Sequence, residues 1–98
     1  MASITERLSG TTFGTLNTIQ KSIFVITTTG AATATLPNGS EGQRILLFLI
    51  TDAGDLVVSG SFSLGSTATF DTVKDAVELI WIINVGWHVI SNSAVVFA

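Results

Sequence analysis

Short runs of apolar and β-branched side chains, each bounded by turn-forming residues, recur along the chain and predict a series of short β-strands. Ser22–Thr29 is the first of these, and the strand pattern resumes after Gly30. The remaining predicted strands are Ala31–Leu36, Gln43–Ile50, Leu56–Ser59, Thr67–Phe70, Ala76–Ile83, Trp87–Asn92 and Ala94–Phe97. Turn-forming residues such as Pro37-Asn38-Gly39 separate them. The pattern therefore predicts an all-β fold, a small antiparallel β-sandwich or barrel-like meander of about seven or eight short strands.

Two of these regions, Ile45–Ile50 and Ile80–Ile90, are apolar on both faces of the predicted strands. The loop Asn84-Val85-Gly86 predicts a hairpin in which Ile83 pairs with Trp87. A single small sheet cannot cover both faces of such strands, so we expect an oligomer, with a trimer as the favoured state. The candidate subunit-interface residues are Ile45, Leu47, Leu49, Trp81, Ile83, Trp87 and Val89.

The first 21 residues differ from the rest in having few, widely spaced apolar side chains among Ser, Thr and Gly. We therefore divide the chain into an N-terminal arm, residues 1–21, and a single β domain, residues 22–98. An arm of this composition gains order only against another surface, because ordering its backbone costs about 1–2 kcal/mol per residue. The candidate docking residues of the arm are Ile4, Leu8, Phe13, Leu16 and Ile19.

The β domain contains two similar units, residues 33–61 and 67–93. Each unit has a Thr-Ala-Thr-apolar segment, a turn, an apolar strand and a Val-Val-Ser or Val-Ile-Ser segment. The constant offset and shared order favour a repeated β-meander. Chance similarity in a chain rich in Thr and Val is the alternative.

Composition and charge narrow the classes of function. Apolar residues make up 47% of the chain and charged residues only 11%, which excludes an intrinsically disordered segment. The net charge is −3 and the four Lys and Arg are scattered, so we expect no nucleic-acid partner. The longest aliphatic and aromatic run, Ile45–Ile50, is too short to span a bilayer, so we expect no membrane partner.

No group of residues has the spacing of a catalytic site. His88 is the only histidine and there is no cysteine, which argues against a metal centre or a nucleophile–base pair. The aspartates at 52, 55, 71 and 75 suit turn capping better than a calcium loop. Trp81 and Trp87 fit core or interface positions better than a sugar site. We therefore expect a protein that is not an enzyme and that uses no cofactor and no metal.

Two segments resemble small virion proteins of tailed bacteriophages. They are Leu36-Pro37-Asn38-Gly39-Ser40-Glu41-Gly42-Gln43, and the stretch from Thr69-Phe70-Asp71 to Trp87-His88-Val89-Ile90-Ser91-Asn92. Their pattern is similar to that of capsid decoration (cement) proteins and of β-rich trimeric fibre segments. Lys74, where the pattern often has Gly, and the Asn84-Val85-Gly86 loop depart from it.

The resemblance implies a homotrimer that binds the outer surface of a phage capsid. Its partners would be other copies of itself and the major capsid protein, whose subunit contacts it would stabilise. The arm would then dock on a capsid protein or on a neighbouring copy. Made in the host cytoplasm, the protein would reside in the virion. The alternative is a tail or fibre component that binds a receptor glycan.

Overall fold

The computed structural model of the chain describes residues 5–98 and contains β-strands and turns but no helix in that range. The strands are β1 (Thr5–Thr15), β2 (Ile23–Thr35), β3 (Arg44–Asp52), β4 (Leu56–Phe62), β5 (Gly65–Phe70), β6 (Ala76–Ile82), β7 (Gly86–Ser93) and β8 (Val96–Phe97). The predicted all-β fold and the predicted number of strands are confirmed.

The strands form one sheet that closes on itself. Their order is β1-β2-β3-β6-β7-β4-β5-β8, and an additional pairing of β2 with β4 closes a five-stranded barrel of β2, β3, β6, β7 and β4. The closure depends on the length of β2. Its first half pairs with β3 and its second half, Ala32–Thr35, pairs with the start of β4. β1 lies along the other edge of β2.

Half of the pairing differs from the antiparallel arrangement that the sequence predicted. β3 pairs antiparallel with β6, as do β4 with β5, β5 with β8 and β6 with β7. In contrast, β1–β2, β2–β3, β2–β4 and β4–β7 are parallel. Parallel neighbours usually need a crossover of about a dozen residues. The shorter links 16–22 and 36–43 suffice because the strands coil around the barrel.

A corner in β2 allows this coiling. Gly30 does not end the strand, as the sequence pattern suggested, because β2 continues through it. The 53–55 turn packs directly on the Gly30 backbone, and a Cβ atom on Gly54 would lie 2.2 Å from the carbonyl carbon of Gly30. The buried Thr28 hydroxyl donates to the Gly54 carbonyl oxygen at 2.8 Å and accepts from the Ala53 amide at 3.1 Å. The corner thus requires a glycine at 54 and a hydroxyl at 28.

The core consists of the side chains that point into the barrel, which come from alternate positions along each strand. In β2 the even-numbered side chains from Phe24 to Ala34 that face inward are buried, whereas Thr33 and Thr35 are exposed. The larger core residues are Leu16, Phe24, Ile26, Leu36, Ile45, Leu47, Leu49, Leu56, Val58, Phe62, Phe70, Val77, Leu79, Trp87 and Val95. Successive side chains along each strand therefore point alternately to the inside and the outside of one closed sheet.

The register of the β6–β7 hairpin differs from the prediction. Trp81 lies opposite Trp87 and Ile82 opposite Gly86, so Ile83 is a loop residue and does not pair with Trp87. The shift arises because Gly86 belongs to the strand: a Cβ atom there would lie 2.5 Å from the Ser61 carbonyl oxygen on β4. The turn closes with a hydrogen bond from the Val85 amide to the Ile82 carbonyl oxygen.

Candidate interaction surface

Four of the seven candidate interface residues lie inside the chain's own barrel. Ile45, Leu47, Leu49 and Trp87 are buried among core residues of the same chain. In this fold they have no surface for another subunit, because closure of the sheet already covers the face they share. Trp81 and Val89 are half-buried at the margin of the core, and Ile83 is 65% exposed. An interface role remains a prediction for these three.

Trp87 is held by the 36–43 loop, which crosses the end of the barrel next to it. Its indole Nε1 donates to the Pro37 carbonyl oxygen at 3.0 Å. Gly39 sits against the ring, since a Cβ atom there would lie 2.8 Å from two carbons of the Trp87 six-membered ring. The Gln43 side chain closes the loop, accepting from the Ser40 amide and donating to the Thr18 carbonyl oxygen.

The same loop continues along the tip of the β6–β7 hairpin. The Gly42 amide donates to the Trp81 carbonyl oxygen, and the Trp81 amide donates to the Gln43 carbonyl oxygen. The Glu41 carboxylate accepts from the Ile83 amide at 2.8 Å. Trp81 and Trp87 meet edge to face, with ring centroids 5.3 Å apart. The two segments that carry the resemblance to phage virion proteins are therefore parts of one packed unit.

An apolar surface lies on the outside of β2, β3 and β6. We call this the outer β2–β3–β6 face. Cross-strand register places its side chains in neighbouring rows, in which Ile23 lies beside Leu46 and Val25 beside Phe48. The apolar members of the face are the half-buried Ile23, Val25, Leu46, Phe48, Ile80 and Ile82. They come from the same strands whose inner residues form the core.

The outer β2–β3–β6 face carries two charges, Arg44 on β3 and Glu78 on β6. They are the charged side chains at outward positions within 23–27, 44–50 and 76–82. Arg44 lies opposite Ile80, and Glu78 lies opposite Leu46. Together with Ile23 and Leu46 they line a shallow depression of about 310 Å³. Neither forms an ion pair with a described side chain, that is, with residues 5–98 apart from Asp52.

The segment predicted as an N-terminal arm forms strand β1, which pairs with β2 of the same chain. Leu16 is buried in the core, and Leu8 and Phe13 are half-buried against it. Ile19 is 95% exposed in the turn that follows β1, and Ile4 lies outside the described residues. Docking by this segment stays a prediction, and Ile19 is the described member of the set with the most free surface.

The polar residues weighed as chemical groups have structural contacts. Asp75 is buried, and its Oδ2 accepts from the amides of Asp71 and Thr72 at 3.1 Å each, which is the turn capping predicted for it. His88 is exposed, with Nδ1 2.8 Å from the Ser63 hydroxyl. Among residues 5–98, no cluster of three His, Cys, Asp or Glu could hold a metal ion.

From the sequence, the inward residues of β3 are interface candidates and the outward ones, Leu46 and Phe48, are not. Their apolar character and alternate positions were visible, but nothing local distinguished them from Ile45 and Leu47. Within the described residues, no helix is long and apolar enough to cross a membrane. The sequence matches no protein-family model, and comparison with curated proteins found no significant relative.

Proposed function

We propose that this protein is a structural virion protein that binds the outer surface of a phage capsid as a homotrimer and stabilises contacts between major capsid subunits. The observation that carries the proposal is the outer β2–β3–β6 face, six half-buried apolar side chains in adjoining rows. Contiguous apolar surface of this kind typically marks a protein interaction site. The resemblance of segments 36–43 and 69–92 suggests the shell as the setting.

A small β-protein with an apolar outer face suits a decoration role. Each copy needs only a modest affinity, because attachment through several copies of one trimer raises the overall affinity steeply. The 36–43 loop packs against the β6–β7 hairpin at Trp87, and these contacts stabilise this end of the barrel without a disulfide. The protein would then contribute stability to the shell and carry out no chemistry of its own.

A tail or fibre component with a glycan site is the second candidate. Sugar stacking needs an accessible aromatic ring. Trp87 has no exposed surface and its Nε1 is already bonded to Pro37, which leaves only the half-buried Trp81. This burial favours the decoration role over the glycan site.

The test is binding to purified capsids from which the protein is missing. We expect saturable binding to the outer surface, at hundreds of copies per particle, and increased resistance of the shell to heat. A few to tens of copies, localised at one vertex or on the tail, would favour the second candidate. No binding to heads or tails would contradict both roles. The control for nonspecific adsorption is heat-denatured protein that has lost its near-ultraviolet circular dichroism.

A further inference from the structure

The outer β2–β3–β6 face combines apolar side chains with two opposite charges that form no ion pair with any of the side chains that the structure describes. Arg44 and Glu78 lie on neighbouring strands and line the depression together with Ile23 and Leu46. Glu78 is half-buried beside apolar neighbours, whereas Arg44 is exposed. A half-buried carboxylate beside apolar neighbours gains from an oppositely charged partner more than it would in open solvent.

We propose that this face joins copies of the chain to one another, with Arg44 of one copy paired to Glu78 of the next. The inference rests on the self-association in the proposed function and locates its interface. The occupant is a second copy because the face is complementary to itself in charge. It offers one cation and one anion beside the same apolar patch, so the cation of one copy can pair with the anion of the next while its own anion pairs with a third copy.

The arrangement suits a cyclic trimer. At a three-fold axis, each Arg44 meets the Glu78 of the next copy, so that charges alternate in sign around the axis and no like charges touch. The apolar side chains Leu46, Phe48 and Ile80 of each copy are then buried beside these pairs. Burial of apolar surface supplies the affinity, and the alternating charges select the orientation of the subunits.

Charge reversal tests the pair directly, with sedimentation velocity and multi-angle light scattering over a concentration series as the measurement. Wild-type protein is expected to be trimeric at micromolar concentration. Arg44→Glu and Glu78→Arg should each weaken association by about tenfold or more, because each places like charges in contact. The double variant Arg44→Glu/Glu78→Arg restores an opposite pair at every contact and should recover most of the association.

Two variants with the same change in net charge act as controls. Lys74→Glu matches Arg44→Glu and Asp55→Arg matches Glu78→Arg, and both residues are exposed outside the face. They should leave the association constant within about twofold of wild type, since exposed charges far from an interface are screened by salt. Circular dichroism of all five variants verifies that the β-fold is retained.

A monomeric wild-type protein overturns the inference, as do single reversals that associate like wild type or a double variant that does not recover. These results are distinguishable from failure of the proposed function. If the protein binds capsids but its association does not change on charge reversal, only the proposed interface is contradicted. If its association depends on the Arg44–Glu78 pair but it does not bind virions, only the decoration role is contradicted.

Discussion

The two faces of β3 and β6 are almost equally apolar in sequence, yet they have different physical roles. The inward residues Leu47 and Leu79 have no exposed surface and are enclosed by the barrel. The outward residues Leu46, Phe48 and Ile80 keep part of their surface in water. Inward side chains therefore determine whether the chain folds, whereas outward ones remain free to determine what the folded chain binds. Hydrophobicity alone does not distinguish a core from an interface.

The largest expected effect is on the inner side, at Trp87. Trp87→Ala removes a fully buried ring and its hydrogen bond to Pro37, and should lower the free energy of unfolding by about 3–5 kcal/mol. Trp81→Ala, at the half-buried partner of the edge-to-face pair, should have a clearly smaller effect. Chemical denaturation measured by circular dichroism compares the two, and equal losses would contradict the distinction between buried and marginal positions.

The next effect comes from shortening one inward side chain of β3. Leu47→Ala leaves a cavity in the barrel and should lower the free energy of unfolding by about 2–5 kcal/mol. The same measurement on Leu46→Ala, one position along the strand and on the outer face, provides the matched control. If the outer substitution is as destabilising as the inner one, the faces are not divided as described.

A moderate effect is expected at the corner that lets β2 coil. Thr28→Val keeps the shape of the side chain but removes the hydroxyl that bonds to Gly54 and Ala53. Loss of these two part-buried hydrogen bonds, each worth about 0.5–1.5 kcal/mol, should lower the free energy of unfolding by about 1–3 kcal/mol. Thr29→Val, at an exposed neighbouring position, should change it little. Thermal and urea unfolding both report this difference, and a neutral Thr28→Val would show that the hydroxyl is dispensable.

The smallest effect on stability is expected on the outer face. Phe48→Thr keeps a strand-forming residue at a half-buried outward position and should lower the free energy of unfolding by about 1 kcal/mol, less than the inward substitutions. Its effect should appear instead in a weaker association constant, measured by light scattering. A large loss of stability with unchanged association would assign Phe48 to the core and remove it from the interaction surface.

Local pattern predicted much of the fold but less of the candidate surface. The apolar and β-branched runs in 22–29 and 43–50 predicted strands because these residue types fit a pleated, half-buried surface. The hairpin was predicted from its Asn84-Val85-Gly86 loop, but its register differs because Gly86 contacts β4. Leu46 and Phe48 were not among the interface candidates, because selecting the outer face requires knowing which way the sheet closes.

The sequence by itself determined the all-β class, the positions of most strands and the division of each into two faces. Those properties follow from turn residues and from the two-residue period of side chains, both of which act over short distances along the chain. Only the tertiary structure decided that β2 pairs in parallel with β1, β3 and β4, and that Ile45, Leu47, Leu49 and Trp87 lie inside. These outcomes depend on contacts between distant segments and on closure of the barrel, which no local pattern encodes.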